Sequence, residues 1–231
     1  MEYTRLFDMV RCHLESLGIA CTVRAGKVAT EKSIARIEGK IKVRIPAELR
    51  EFYQTVGDGF VFFWEAASKG KNQPYGILEM PTLKELARMY TGWREMVLYS
   101  PEEAEKYGFP YTEDPALAKR TAARMWHWLP LIDEGNGDMF CLDFSDSGCP
   151  VIFNKHDWLD GGNGDNGHWL ASNLRVFLVG WGSVCFQVPK RIYWPYCIRE
   201  RGGVDWGGDE FRDPYKIMGP AESGAATEPA T

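Results

Sequence analysis

The residues of this chain best suited to chemistry are the carboxylates of one short stretch. Residues 133–165 contain eight acids and one base, Lys155, so this window carries a net charge of −7 within a chain of net charge −5. Most of these acids fall on predicted turns and loops around one sheet, where a shared negative surface would attract a basic partner. Turns also favour aspartate for local hydrogen bonds. The pattern leaves both explanations open.

The loop over residues 157–167 is rich in aspartate, asparagine and glycine, a composition that can hold calcium through oxygen ligands. The order of its acids does not match an EF-hand, and residues 161–166 miss a calcium-binding nonapeptide unit by one residue. Such a unit works only in arrays, and this sequence has none. We therefore expect a flexible loop and no metal site.

Catalysis by histidine would require a second functional group beside the imidazole. His156 directly precedes Asp157, but neighbours at a strand end point to opposite sides, so they do not form an acid–base pair. His13, His127 and His168 are isolated along the sequence. Phosphate-binding glycine loops, zinc-binding helix motifs and serine elbows are absent from the sequence. The sequence predicts no catalytic residue, no cofactor and no enzyme.

The composition indicates a globular chain, since 45% of its residues are hydrophobic. The negative net charge argues against a nucleic-acid partner, which would require a basic surface. No apolar run is long enough to span a membrane, and the N-terminus lacks the order of a secretory signal. The six cysteines form no CxxC pair, so we expect reduced thiols in a cytoplasmic protein.

Local patterns predict the elements that position these residues. Helices are predicted from Leu6 to Leu17, after Thr30, after Pro46 and after Thr82, because apolar residues recur there at helical spacing. Strands are predicted at 19–24, 60–64 and 75–80, the second of them covered on both faces. The polar stretch 99–126 is expected to be a surface excursion with a short helix from residue 115.

The clearest pattern is a three-stranded antiparallel meander over residues 128–132, 139–144 and 151–154, joined by turns rich in glycine, asparagine and aspartate. The middle strand is apolar on both faces, which places it in mid-sheet with helices packed against it. Pro130 places the first strand at an edge. Beyond the meander, Trp169, Leu170 and Leu174 begin one helical stripe that continues to Trp181.

These segments together resemble the SUKH superfamily, which includes cell-wall-synthesis regulators and many bacterial toxin-immunity proteins. The matching segments are IPAELREFYQTVGDG (45–59) and WLPLIDEGNGDMFCLDFSDSGCPVIFNKHDW (128–158), followed by a late helix with VFL (176–178). The paired signatures of the family are met at Ile45-Pro46, Leu129-Pro130, Gly137-Asp138, Leu142-Asp143, Pro150-Val151 and His156-Asp157. The order and spacing of these fragments carry the resemblance.

The resemblance implies an α+β fold with a central, mainly antiparallel sheet that contains the three-stranded meander. The N-terminal helices and one late helix pack around this sheet. We expect one domain over residues 1–218, with an insertion near 99–126 and an extension at 183–218 that do not belong to the family core. The Ala/Gly/Pro/Glu-rich residues 219–231 are predicted to form a disordered tail.

The function that the resemblance implies is that of a cytoplasmic immunity protein. It would bind a cognate protein toxin, such as a nuclease, and occlude its active site. The alternatives are a regulatory scaffold of the cell-wall-regulator type and a metal-dependent hydrolase. The sequence predicts a partner-binding surface formed by Glu134, Asp146, Asp157, Trp158, Asp160 and Asp165. It identifies neither the toxin nor the oligomeric state.

Overall fold

The structure is a computed structural model that describes residues 1–67, 73–96, 106, 123–135, 137–155, 167–190, 194–199 and 203–217. Its α-helices are α1 (Tyr3–Ser16), α2 (Glu31–Ile41), α3 (Ala47–Thr55), α4 (Leu83–Met96) and α5 (Leu174–Ser183). Its strands are β1 (Cys21–Ala25), β2 (Phe60–Glu65), β3 (Tyr75–Met80), β4 (Trp128–Asp133), β5 (Met139–Asp143), β6 (Val151–Asn154) and β7 (His168–Ala171). Short 3-10 turns cover Trp194–Cys197 and Asp213–Tyr215.

The strands form two antiparallel sheets, one ordered β1-β2-β3 and the other β4-β5-β6-β7. The predicted α+β class is therefore confirmed, and so is the meander of β4, β5 and β6. The arrangement differs from the expected single central sheet, and a fourth strand extends the meander. The helix expected from residue 115 and the tail 219–231 lie outside the described residues.

The first sheet packs one face against the N-terminal helices. Phe60, Phe62 and Trp64 of β2 are buried, and the ring of Phe7 on α1 lies 4.3 Å from that of Phe60. The intervening Val61 and Phe63 stay partly exposed. The prediction that both faces of β2 are covered was therefore wrong. Buried and partly exposed side chains alternate along β2, as they do in a strand with one covered face.

A close crossing of two turns explains the glycines around residue 57. A Cβ atom on Gly57, whose φ is +154°, would lie 2.5 Å from the carbonyl oxygen of Gly26. Between the two turns, Gly26 N donates to Gly59 O at 2.8 Å. Asp58 also lies here, and its Oδ1 accepts from Leu83 N at 2.6 Å, which caps the start of α4.

The second sheet has helices on both faces, as the apolar β5 predicted. Phe140 and Leu142 are buried on one side, where the ring of Phe140 lies 5.2 Å from that of Phe177 on α5. On the other side Cys141 packs in a separate cluster with Trp93 of α4. β4 is an edge strand, and its register shifts between Pro130 and Ile132. The edge position predicted from Pro130 is thus confirmed.

The helical stripe predicted from Trp169 begins too early. Residues 168–171 form β7, which pairs with β6, and α5 begins only at Leu174. Asn173 marks the boundary, because its side chain accepts a hydrogen bond from Val176 N at 2.9 Å and caps the helix. The sequence contains a signal for this boundary, the capping residue Asn173, but the apolar periodicity continues across it and suggests one longer helix.

The extension beyond α5 covers an edge of each sheet. Its buried side chains include Phe186, Trp194 and Phe211, so its described part belongs to the core. Backbone hydrogen bonds join it to β3 and β7, from Ile77 N to Phe186 O, Val188 N to Tyr75 O, Gly203 N to Trp169 O and Val204 N to Leu170 O. Pairing of this kind removes exposed strand edges that would otherwise recruit other chains.

Candidate functional site

The residues of the predicted acidic surface are divided between two ends of the second sheet. Glu134 follows β4, and Asp146 follows β5, so the length of β5 separates them. Five residues of strand span roughly 17 Å at about 3.4 Å per residue. Lys155 and Gly167, which flank residues 156–166 in the sequence, lie at the Glu134 end. Asp157, Trp158, Asp160 and Asp165 themselves lie outside the described residues.

Glu134 is enclosed by the extension beyond α5. Its Oε2 accepts a hydrogen bond from Trp194 Nε1 at 2.9 Å, and Trp194 is buried against Phe140. Burial raises the pKa of the Glu134 carboxyl to about 7, and the charges of Asp138 and Asp133 act in the same direction. The hydrogen bond from Trp194 opposes this shift. Glu134 is thus half-buried in the fold.

Asp146 and its neighbour Asp143 serve the turn between β5 and β6. Asp146 Oδ1 accepts from Gly148 N at 2.7 Å, and Asp143 Oδ1 accepts from Ser145 N at 2.8 Å. Asp143 Oδ2 also accepts from Trp128 Nε1 at 3.3 Å. These contacts are the local hydrogen bonds for which turns favour aspartate. Asp146 nevertheless remains partly exposed to solvent.

A groove of about 720 Å³ opens at the same end of the second sheet as Asp146. One wall is the C-terminal end of α2 with the connection to α3, and the other is α4. The floor comes from the segment before β4 and from the residue after β5, which are joined by the bond from Phe144 N to His127 O at 2.9 Å. The lining residues are Lys40, Ile41, Lys42, Val43, Arg44, Tyr90, Thr91, Arg94, Trp126, His127 and Phe144.

The described lining of this groove is basic and aromatic, and no acid is among these described residues. Lys40, Lys42 and Arg44 are exposed, and none of the three forms an ion pair within the described residues. Arg94 lies over the ring of Trp126 and donates to Trp126 O at 3.1 Å. That stacking fixes the guanidinium on an aromatic surface. Exposed cations beside fixed aromatic rings form a surface that attracts anionic groups.

Buried contacts hold the wall that carries these cations. Ile41 and Ile45, on either side of the exposed segment, are buried in the core. Glu38 Oε1 accepts from Ile45 N at 2.8 Å and from Arg50 at 2.5 Å. Lys42 adopts a left-handed conformation with φ of 60°, which ends α2. The cations therefore project from a backbone that is already ordered.

Sequence reasoning missed this groove because its residues come from four separate parts of the chain. A count along the sequence showed only that the chain outside the acidic window has a small positive balance. His127, interpreted as an isolated histidine, is one of the lining residues. Across the described ranges, histidines, cysteines and acids form no group of three that could hold a metal ion. No described helix is long and apolar enough to cross a membrane.

The two antiparallel sheets with helices packed around them define an α+β protein. The chain belongs to the SMI1/KNR4 family (SUKH-1), whose family model matches residues 28–180. The resemblance to the SUKH superfamily is thus confirmed, and α1 and the extension beyond α5 lie outside the matched span. No curated protein matches the chain. Membership of this family is compatible with both of the binding roles that the sequence predicted.

Proposed function

We propose that this chain is a cytoplasmic immunity protein that binds a cognate protein toxin and neutralises it by occluding the toxin's active site. The observation that carries this proposal is membership of the SMI1/KNR4 family over residues 28–180. Occlusion requires a complementary surface and no catalytic group.

The contact surface that we propose for the toxin centres on the predicted acidic loop over residues 157–167. Asp157, Asp160 and Asp165 would attract a basic surface such as the substrate groove of a nuclease. Trp158 would serve as the aromatic anchor, since tryptophan is enriched among residues that dominate binding energy. Glu134 lies at the same end of the sheet, whereas Asp146 lies at the opposite end and would contribute through the long-range field alone.

A regulatory scaffold is the second candidate function. The family match over residues 28–180 is compatible with it as well, because the superfamily that the sequence resembles includes cell-wall-synthesis regulators as well as immunity proteins. Both candidates act by binding, so the two differ in whether the partner is harmful when it is free.

Co-expression with the product of the neighbouring gene tests the immunity proposal. We expect that product to stop growth when expressed alone, and this chain to restore growth and co-purify with it in a stoichiometric complex. A product that binds but does not impair growth would favour the scaffold. A toxic product that neither binds nor is neutralised by this chain would contradict the immunity role.

Association kinetics test the proposed contact surface. We expect Asp157→Lys with Asp160→Lys to slow association with the toxin about tenfold at low salt, because reversing exposed charges removes long-range attraction. The difference should shrink as salt rises. The matched control is Glu2→Lys with Glu15→Lys, which reverses two exposed charges on or beside α1. Equal rates in the loop variant, the control and Trp158→Ala would place the interface elsewhere.

A further inference from the structure

The groove between α2 and α4 has features that the acidic-surface proposal does not use. Lys40, Lys42 and Arg44 are exposed, the floor is aromatic, and the described residues that line the groove include no acid. We infer that this groove binds a short acidic segment of a protein partner. The inference rests on the proposed function only in taking the partner to be a protein, and it assigns a second binding surface to the chain.

Charge is the first argument for an acidic occupant. Three cations follow one another closely at the end of α2, and Arg94 faces the same groove from α4. Lysines near a helix C-terminus also complement the helix dipole. That role accounts for Lys40 and Lys42, but not for Arg44, which lies beyond the last turn of α2 and beside α3. The helix dipole therefore does not account for all of the positive charge in the groove.

Shape and size are the second argument. A volume of 720 Å³ falls within the range of about 300–1,000 Å³ that is typical of pockets for compact ligands. Tyr90, Trp126 and Phe144 give the groove apolar surface between the charged groups. A segment that alternates carboxylates with apolar side chains matches both features. A peptide of this kind also meets an ordered wall, so little entropy is lost on the protein side.

The charge of the whole molecule favours a peptide over a nucleic acid. The chain carries a net charge of −5, and residues 133–165 alone carry −7. A nucleic acid extends its phosphates well beyond one groove and requires a broad basic surface to release counterions. A short acidic segment places its charge only where the cations are. Charge complementarity therefore selects an acidic peptide.

The first test measures peptide binding by fluorescence anisotropy at low salt. The probe is a short labelled peptide of glutamates and phenylalanines, and its control has glutamine in place of every glutamate. We expect the acidic peptide to bind and Lys42→Glu with Arg44→Glu to weaken it at least about tenfold. The matched control is Arg24→Glu with Lys27→Glu, which makes the same charge change at exposed residues outside the groove.

A second variant tests the groove without changing its charge. Thr91 is exposed on α4 and lines the groove, so Thr91→Trp should fill it and weaken the peptide to a similar extent. Thermal melts of all the variants should match that of the wild type. Full retention of peptide binding in both groove variants, or equal loss in the Arg24 and Lys27 control, would overturn the inference.

The remaining outcomes separate other occupants and the two proposals. Tighter groove-dependent binding of single-stranded DNA of equal charge would overturn the peptide assignment, and so would salt-sensitive self-association that Lys42→Glu with Arg44→Glu abolishes. If the wild type binds the acidic peptide but does not restore growth, the groove proposal is supported and the immunity role is contradicted. If the wild type restores growth but does not bind the peptide, the immunity role is supported and the groove proposal is contradicted.

Discussion

The two ends of the second sheet carry charge in opposite ways. At one end the carboxyl of Glu134 lies half-buried under Trp194, and its pKa is raised to about 7. At the other end Lys40, Lys42 and Arg44 are exposed around an open groove and form no ion pair within the described residues. The first end uses its charge within the fold, and the second presents charge to solvent.

This difference teaches that a count of charges along the chain does not locate a binding surface. The acidic window has by far the greater charge density, yet Glu134, Asp143 and Asp146, three of its five described acids, accept hydrogen bonds from within the protein. Three cations of the groove lie within residues 40–44, but they join Arg94 and the aromatic residues in one surface only in the fold. Desolvation and partners decide which charges remain available.

Two phenylalanines near opposite ends of β5 test the contrast most strongly. Phe140 is fully buried beneath Trp194, whereas Phe144 is half-buried at the groove. Phe140→Ala should lower the free energy of unfolding by about 3–5 kcal/mol, because it leaves a cavity in the core. Phe144→Ala should cost only about 1–2 kcal/mol, since less apolar surface is lost.

Denaturant unfolding of the two variants checks this comparison. Equal losses in both variants would mean that the groove end is as much a part of the core as the Glu134 end.

The elements of the fold that could be predicted from the sequence are those with local signals. Thr30 caps α2 as expected, with Ser33 N donating to its side chain at 3.1 Å, and the predicted bounds of β3 and β6 are confirmed. The family-specific segments were sufficient to identify the superfamily. These features depend on residues that lie within a few positions of one another, where spacing alone carries the information.

The remaining features depend on contacts between distant parts of the chain. Glu134 is half-buried beneath a tryptophan sixty positions further on, and the groove combines four separate segments. The sequence of β7 resembles the start of a helix, because adjacent apolar residues are typical both of a strand covered by the sheet and α5 and of a buried helix. No local pattern distinguishes these cases, since tertiary packing decides each of them.

The pH dependence of stability tests the buried carboxyl. The pKa of Glu134 is about 7 in the folded protein and is lower when the chain unfolds, so below pH 4.5 the group is protonated in both states. Between pH 4.5 and about 7 the unfolded chain has lost this proton while the folded protein retains it, so folding becomes less favourable as the pH rises to the folded pKa. The stability associated with protonated Glu134 is therefore present at low pH and lost as the pH rises.

Glu134→Gln should remove this dependence, because the amide is neutral and its oxygen still accepts from Trp194. We expect the variant to raise the free energy of unfolding by up to about 3 kcal/mol at pH 8, from the value of one pKa unit, and to leave it unchanged at pH 4. Urea unfolding at the two pH values measures the difference. An equal effect at both values would show that packing, and not ionisation, separates glutamate from glutamine here.

Two arginines near the groove give the smallest and most local comparison. Arg50 is largely buried and donates to Glu31 and Glu38, and Glu38 in turn accepts from Ile45 N in the groove wall. Arg50→Ala should therefore cost about 1–3 kcal/mol, because it leaves the mostly buried carboxylate of Glu38 with one donor fewer. Arg44 is exposed and forms no ion pair within the described residues, so Arg44→Ala should change stability by less than about 0.5 kcal/mol.

The order of the two effects should be reversed in peptide binding, measured at equal fractions of folded protein. Arg44→Ala should weaken binding more, because it removes a direct contact with the peptide. Arg50→Ala should weaken binding less, because it acts only through the order of the groove wall. A large stability loss in Arg44→Ala would mean that this cation serves the fold, and that the groove end does not differ from the Glu134 end.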